Sequence, residues 1–373
     1  MKILFIYKSY YPESRGGVEE VIRVLMAGLI EMGHQCTLLV TTSTKKAYTR
    51  KENEAVIHYC PANANFASCP VSLDFVRKFK ALSREHDIIN FHFPWPWADV
   101  TSLLVGLYKP YIITYQSDIV RQKNLNKIYK PLMHLFFRRA TAIIATSEKY
   151  RQSSKVLNLY LDKTYVISLG LQDGAKFEDC LQEHTFWKAK VGENFFLFLG
   201  VLRYYKGLSY LLEAVKNTSL PIVIAGSGPE EEKLKKLAEQ HNLHNVTFLG
   251  SVSEKDKTAL FSLCKAVVVP ASERSEAYCL TLVEGLRAGK ALISTELGTG
   301  TSFVNDAGVT GLVVAARDSD ALLSAMLDLD KDATKCEAFS KAARQRFLDY
   351  FQSSDMILAY EELFKKKIRA YYA

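Results

Sequence analysis

Two glutamates lie eight positions apart in the run 267–294, Glu276 and Glu284. A short apolar strand, Val267, Val268, Val269 and Pro270, comes first, and Leu280, Val283 and Leu286 then recur at helical spacing. Glu276 therefore falls in a strand-to-helix loop and Glu284 on the helix itself. Eight residues of helix rise about 12 Å, wider than the roughly 5–9.5 Å that separates the paired carboxylates of a glycoside hydrolase. The pair suits the two ends of one long ligand. Between those ends the helix N-terminus offers unpaired backbone N–H groups and a positive dipole end, a favourable seat for a phosphate.

Fixed cations stand upstream. The run Gly200-Val201-Leu202-Arg203-Tyr204-Tyr205-Lys206-Gly207 follows an apolar strand and opens a helix, and Ala225-Gly226-Ser227-Gly228-Pro229 follows the next strand. Arg203 and Lys206 match a pyrophosphate, and two such cations would stabilise the charge that develops as a diphosphate leaves. The bland alternative is a pair of solvated surface cations. Gly226 and Gly228 mainly permit a sharp turn. Gly16-Gly17, after the first strand, would let backbone approach a phosphate closely, or would only form a tight turn.

The elements that must position these residues alternate between strand and helix. Apolar runs at 2–7, 36–42, 56–60, 87–93, 111–115, 142–146 and 165–169 predict a seven-strand, mostly parallel sheet, with an amphipathic helix over 18–33. Polar residues around 172–190 mark a linker. A second set of six strands follows at 194–200, 222–226, 246–250, 266–269, 291–295 and 311–315. The expected organisation is an N-terminal Rossmann-like domain over 1–183, a second over 184–354, and a C-terminal helix over 355–373 that crosses back to the first. Open α/β sheets bind ligands at the carboxyl ends of their strands, so the ligand is expected between the two sheets.

Composition narrows the function classes. At 373 residues the chain exceeds one ordinary core. No apolar run approaches the roughly 20 residues of a membrane span, and the first strand lacks signal-peptide design, so a cytoplasmic location is expected. The seven cysteines show no C-x-x-C spacing, which argues against a disulfide framework or a metal site. Residues 1–170 carry 23 Lys and Arg against 13 Asp and Glu, whereas 171–373 carry 25 against 27, so the whole net charge of +8 comes from the N-terminal half. Without a nucleic-acid motif, that excess favours an acidic ligand or an anionic membrane surface. The basic, aromatic stretch 121–139 suits a helix lying in a headgroup layer, or a solvated face over an ordinary core.

Taken together, these runs resemble the retaining family 4 glycosyltransferases, and the resemblance spans nearly the whole chain. It rests on Gly16-Gly17, the Gly200 to Gly207 run, Ala225 to Pro229, Glu276 and Glu284 followed by Gly289-Lys290, and the later Gly298-Thr299-Gly300-Thr301 and Thr310-Gly311-Leu312-Val313. It is strongest toward the bacterial polysaccharide and O-antigen mannosyltransferase branch. The implied architecture is GT-B, two Rossmann-like α/β domains with parallel sheets facing across a cleft.

By that resemblance Glu276 would contact the donor sugar, Glu284 the ribose hydroxyls, and Arg203 with Lys206 the diphosphate. Backbone near Tyr278, Cys279 and Leu280, and at Gly16-Gly17, would complete the cradle, with Gly226 at its strand end and Ser251 and Val252 near the base. Gln116 stands where the family usually has a sugar-contacting His, Val201 where an Arg is common, and Cys279 where Gly is common. The implied activity is transfer of a hexose from a nucleotide sugar, GDP-mannose or a UDP-hexose, to a glycan or lipid-linked glycan acceptor. No cofactor, metal or nucleic-acid partner is implied. An alternative that Gln116 supports is a catalytically silent binding subunit of the same fold. A nicotinamide dehydrogenase is disfavoured by the missing G-x-G-x-x-G fingerprint.

Overall fold

A computed structural model describes residues 1–14, 16–119, 123–174 and 177–373. The chain divides into two units, Met1–Gly170 with Ser353–Ala373, and Leu171–Gln352.

The first unit contains strands β1 (Lys2–Ile6), β2 (Gln35–Thr42), β3 (Tyr48–Glu52), β4 (Ala55–Pro61), a small hairpin of β5 (Ala64–Phe66) and β6 (Cys69–Val71), then β7 (Ile88–Phe93), β8 (Tyr111–Tyr115), β9 (Ala142–Ala145) and β10 (Thr164–Val166). Its main sheet has the order β10-β9-β8-β7-β1-β2-β4-β3. All pairs are parallel except β3 with β4. Central strands such as β1 and β7 are buried along nearly their whole length, as expected of parallel strands covered by helices on both faces. Helices α1 (Gly17–Glu31), α2 (Leu73–Glu85), α3 (Pro96–Val105), α4 (Lys123–Arg139) and α5 (Glu148–Ser153) supply that cover.

The eighth strand, β3, has no apolar signature in the sequence. Its Tyr-Thr-Arg-Lys-Glu run is mostly exposed and is held at the sheet edge by antiparallel pairing, with Tyr48 stacked on Tyr59 at 4.3 Å between ring centroids. A charged edge strand of this kind resists pairing with other chains.

The second unit contains α6 (Leu181–Val191), β11 (Phe196–Leu199), α7 (Leu208–Ala214), β12 (Ile222–Ala225), α8 (Glu231–Gln240), β13 (Val246–Gly250), α9 (Glu254–Leu263), β14 (Ala266–Val269), α10 (Leu280–Arg287), β15 (Ala291–Glu296), α11 (Thr301–Val304), β16 (Gly311–Ala315), α12 (Ser319–Lys331) and α13 (Ala333–Tyr350). Its six strands are all parallel in the order β13-β12-β11-β14-β15-β16. Phe196, Phe198, Ile222, Ile224, Val268 and Ile293 form the centre of its core. The boundary at Gly170/Leu171 precedes the polar stretch around 172–190 because α6 packs on α9, where Trp187 Nε1 donates to Asp256 Oδ1 at 2.8 Å.

The last helix, α14 (Ser353–Tyr372), belongs to the first unit. Ile357 fills the space beside Gly28 of α1, and the Glu361 carboxylate lies 2.7 Å from His34 Nε2.

Each sheet has one topological switch point. In the first, the chain passes from β1 to β2, out to the edge strand β3 and back to β4 beside β2, and then returns to β7 on the other side of β1. In the second it runs from β11 through β12 and β13 and returns to β14. Ligands of open α/β sheets gather at the carboxyl ends of the strands flanking such points. These are β1 and β7 in the first unit, and β11 and β14 in the second.

Candidate active site

The two loops that leave β11 and β14 carry the strongest chemistry of the second unit. After β11 the chain makes a 3₁₀ turn over Tyr204–Lys206, ending at Gly207 with φ +69°. A Cβ at Gly207 would sit 1.9 Å from the Pro270 carbonyl oxygen, so only glycine lets the loops close this tightly. Ser272 N donates to Tyr205 O at 2.8 Å, stitching one loop to the other.

That closure brings Lys206 to Glu276. Lys206 Nζ lies 2.6 Å from Glu276 Oε2, and both side chains are nearly buried, 11% and 8% exposed. Burial disfavours the ammonium charge, but the adjacent Glu276 carboxylate outweighs it and raises the Lys206 pKa. Glu276 Oε2 is thus held by the Lys206 ammonium, but a carboxylate has about four lone-pair sites, so the pair keeps acceptor capacity to spare. A buried carboxylate in that condition is poised to accept from a ligand hydroxyl.

The backbone around Glu276 is fixed from two directions. Its N–H donates to Glu273 O at 3.0 Å, and its carbonyl accepts from Thr299 Oγ1 at 2.9 Å. Gly300 N then donates to Ala277 O at 2.7 Å. The Gly298 to Thr301 run thus braces the loop from behind. Tyr278 and Cys279 are buried, and Cys279, the N-cap of α10, has φ +69°. That left-handed backbone is where glycine is least strained, the residue common at this position in the resembled family. Burial and the nearby Glu276 carboxylate push the Cys279 thiol up to about 12, so it is a neutral, inert group. Leu280 opens α10, and Thr281 Oγ1 anchors the helix by donating to Leu199 O at 2.9 Å.

Glu284 lies one turn into α10 and is engaged by a cation that sequence reasoning missed. Lys257 Nζ, from α9, is 3.2 Å from Glu284 Oε1 and 2.9 Å from Glu254 Oε1. Burial opposes the Lys257 charge, yet the two carboxylates raise its pKa. No motif flags Lys257, because its partner is remote in sequence. Arg203 is exposed at the start of the 3₁₀ turn, its carbonyl accepting from Lys206 N at 3.0 Å. Gly226 closes the neighbouring loop, since a Cβ there would sit 2.0 Å from Gly200 O. Ser251 Oγ lies 2.7 Å from Ser227 Oγ, with Val252 half-buried beside it.

The remaining predicted residues belong to the first unit. Gln116 follows β8 and is 8% exposed; its N–H donates to Phe93 O at 3.0 Å and its side-chain amide lies 3.2 Å from His92 Nδ1. Gly16 and Gly17 lead into α1, but the buried Glu19 carboxylate lies beside them, 2.6 Å from where a Gly16 Cβ would be. Glu19 accepts from Ser9 Oγ at 2.9 Å and Ser14 Oγ at 2.6 Å, and Glu20 also sits in the first turn. Two carboxylates therefore already answer the positive end of this helix. Among the described residues no group of three His, Cys, Asp or Glu side chains could hold a metal ion.

Comparison with known proteins gives this geometry its family. Residues 182–346 match the family model "Glycosyl transferases group 1" and residues 15–173 match "Glycosyltransferase Family 4". The chain is 40% identical over 364 residues to O-antigen chain mannosyltransferase C of Escherichia coli, covering 98% of each protein. The chain belongs to the family 4 glycosyltransferases. A second relative, D-rhamnosyltransferase WbpZ of Pseudomonas aeruginosa, is also 40% identical, over 94% of this chain and 92% of its own. Both place this glycosyltransferase in the bacterial O-antigen branch, as a nucleotide-sugar-dependent hexosyltransferase. The fold is GT-B: sucrose-phosphate synthase from Thermosynechococcus elongatus superposes with a TM-score of 0.81 over 99% of each chain at 17% identity. Anabaena HepE in complex with UDP-glucose superposes at 0.76 over 98% of this chain and 100% of its own, at 18% identity.

Proposed function

We propose that this glycosyltransferase moves mannose from GDP-mannose, with retention at the anomeric carbon, onto a lipid-linked or growing O-antigen glycan. The observation that carries the reading is the Lys206–Glu276 contact at the carboxyl edge of β11 and β14. It offers one cation for a diphosphate and a carboxylate with lone pairs left over for a sugar hydroxyl. Arg203 adds a second, solvent-facing cation, and Glu284, oriented by Lys257, receives the ribose diol. Gln116 and Gly16-Gly17 are assigned to the sugar and the phosphate respectively, as the family resemblance implies. The mannose assignment follows the Escherichia coli relative's name.

In this reading the chain supplies position and charge stabilisation, and the departing diphosphate oxygen takes the acceptor proton on the same face of the sugar. Lys206 stabilises that oxygen as negative charge accumulates. A panel of GDP- and UDP-sugars, assayed for transfer with product anomers read by NMR, tests it. Absence of nucleotide binding and of turnover with every donor would refute the reading. Binding without transfer, restored by Gln116→His, would favour the silent subunit.

An anionic membrane surface is the proposed setting of the acceptor. Among the described residues no helix is long and apolar enough to cross a membrane. On α4, Tyr129, Met133, Phe136 and Phe137 face inward, whereas Ile128 and Leu132 are exposed on a helix that also exposes Lys127 and Lys130. Such a face suits shallow insertion beside anionic headgroups. Arg121 lies outside the described residues. Ile128→Glu with Leu132→Glu should abolish cosedimentation with phosphatidylglycerol vesicles; unchanged cosedimentation rejects this surface.

A further inference from the structure

Adjacent strands β7 and β8 carry an unusual polar row inside a buried sheet. Asn90 and His92 on β7, and Thr114 on β8 with Gln116 just beyond it, alternate at period two and share one face. All four are buried. The deeper pair is closed: Asn90 Nδ2 donates to Thr114 Oγ1 at 3.0 Å, and Thr114 Oγ1 lies 3.2 Å from the Tyr360 hydroxyl. The outer pair, at the carboxyl edge beside the β1/β7 switch point, is open. Among the described residues His92 Nε2 has no hydrogen-bond partner, and His92 is the only side chain that meets the Gln116 amide.

The open pair has two arrangements, because amide oxygen and nitrogen are interchangeable in shape and the imidazole proton can sit on either nitrogen. If Gln116 donates to Nδ1, the neutral imidazole must carry its proton on Nε2. That leaves a buried N–H without an acceptor, a rare state that costs about 1–3 kcal/mol. If the amide is turned, Nδ1–H donates to the Gln116 oxygen and Nε2 keeps only an unfilled lone pair, a milder defect. The second arrangement also directs the Gln116 NH₂ away from His92.

We propose that His92 is a positioning residue, donating from Nδ1–H to the Gln116 amide oxygen and so presenting the Gln116 NH₂ as an uncharged donor to a sugar hydroxyl or ring oxygen. Burial pushes the imidazole down to about 3, so it stays neutral at physiological pH and the pair cannot act as an imidazolium for phosphate. Phe5 and Tyr7 rings, at 6.2 and 6.3 Å between centroids, hold the imidazole plane in place. The inference rests on the glycosyl-transfer reading for the identity of the ligand, but the hydrogen-bond arrangement stands apart from it.

The test combines ¹⁵N-imidazole NMR on the full chain with kinetics of His92→Phe, His92→Asn and Gln116→Leu. The expected wild-type spectrum shows the neutral Nδ1–H tautomer at His92, relaxing toward Nε2–H in Gln116→Leu. His92→Phe should lower kcat about tenfold, the worth of one oriented hydrogen bond, with donor KM changed less than about twofold. His92→Asn, which keeps a polar group near Nδ1, should recover most of that loss, and His92→Phe should cost nothing further in the Gln116→Leu background. An Nε2–H tautomer in the wild type overturns the proposal, as does an equal loss from His92→Phe in both backgrounds. If the wild type turns over no donor, the transfer reading fails while the spectrum still decides the pair, and it does so even if His92→Phe fails to fold.

Discussion

Removing the Lys206 ammonium separates its structural role from its role toward a ligand. Lys206 and Glu276 touch at 2.6 Å with 11% and 8% of their side chains exposed, so Lys206→Met strands a nearly buried carboxylate. Breaking such a pair from one side costs about 3–5 kcal/mol, and at about 2–4 °C per kcal/mol for a unit of this size the second unit should melt roughly 6–20 °C lower. The double variant Lys206→Met with Glu276→Gln removes both charges and should recover much of that loss. Nucleotide binding should move differently. Losing a charge-assisted hydrogen bond of about 1.5–3 kcal/mol weakens GDP or UDP roughly 10–150-fold in Lys206→Met. Glu276→Gln frees the ammonium from a competing anion, so nucleotide diphosphate should bind at least as tightly while transfer collapses. Scanning calorimetry and titration calorimetry with GDP and UDP read the two effects separately. Unchanged melting and unchanged affinity in Lys206→Met would refute the argument. Equal weakening in Lys206→Met and Glu276→Gln would show that the carboxylate does not compete with the diphosphate.

Three further outcomes follow from particular contacts. Gly207→Ala places a Cβ 1.9 Å from Pro270 O at φ +69°, so it should destabilise the second unit by at least about 2 kcal/mol in thermal unfolding and, in the proposed reading, lower nucleotide affinity by opening the loop. Glu284→Gln should erase the preference for GDP over its 2′-deoxy analogue in calorimetry while leaving pyrophosphate binding intact; a retained preference removes Glu284 from the ribose. Asp99 on α3 is 2% exposed and accepts from the Tyr129 hydroxyl; burial, with that bond opposing, moves its carboxyl from 3.8 up to about 8. The unfolded chain ionises it near 3.8 and the folded chain near 8, so its contribution is fully present below about pH 4 and is lost as pH rises through about 8. Asp99→Asn should therefore raise the melting temperature more at about pH 8.5 than at about pH 4, and equal shifts at both would exclude buried protonation.

The core strands were legible because each is a continuous apolar run bounded by turn residues, and the alternation with helices implied parallel sheets. β3 was not, since its stability comes from an antiparallel partner and the Tyr48–Tyr59 stack rather than from its own composition. Glu276, Lys206 and the glycines announced themselves by type and spacing. Their pairing did not, because 70 positions separate Lys206 from Glu276 and only the closure at Gly207 joins them. Lys257 and His92 escaped notice for a related reason. A lysine among helical charges and a histidine inside an apolar strand have no local signature, and each acquires meaning from a partner on another element.

The strand ends of the two units carry opposite chemistry, and this bears on the basic excess of the N-terminal half. At β11 and β14 the groups proposed for recognition are ionic, Lys206 and Glu276, in a unit whose sequence span is slightly acidic overall. At the carboxyl ends of β7 and β8 the groups proposed for the sugar are neutral, His92 and Gln116, in the span that carries the whole positive excess. The cations described on α4, Lys127, Lys130, Arg138 and Arg139, are instead exposed. A net positive half whose proposed sugar contacts, His92 and Gln116, are uncharged is the pattern expected when long-range charge attracts an anionic surface while the sugar itself is held by neutral hydrogen bonds. Salt therefore discriminates between them: raising ionic strength should release the chain from anionic vesicles while leaving unchanged the kcat penalty of Gln116→Leu, a penalty carried by one uncharged hydrogen bond.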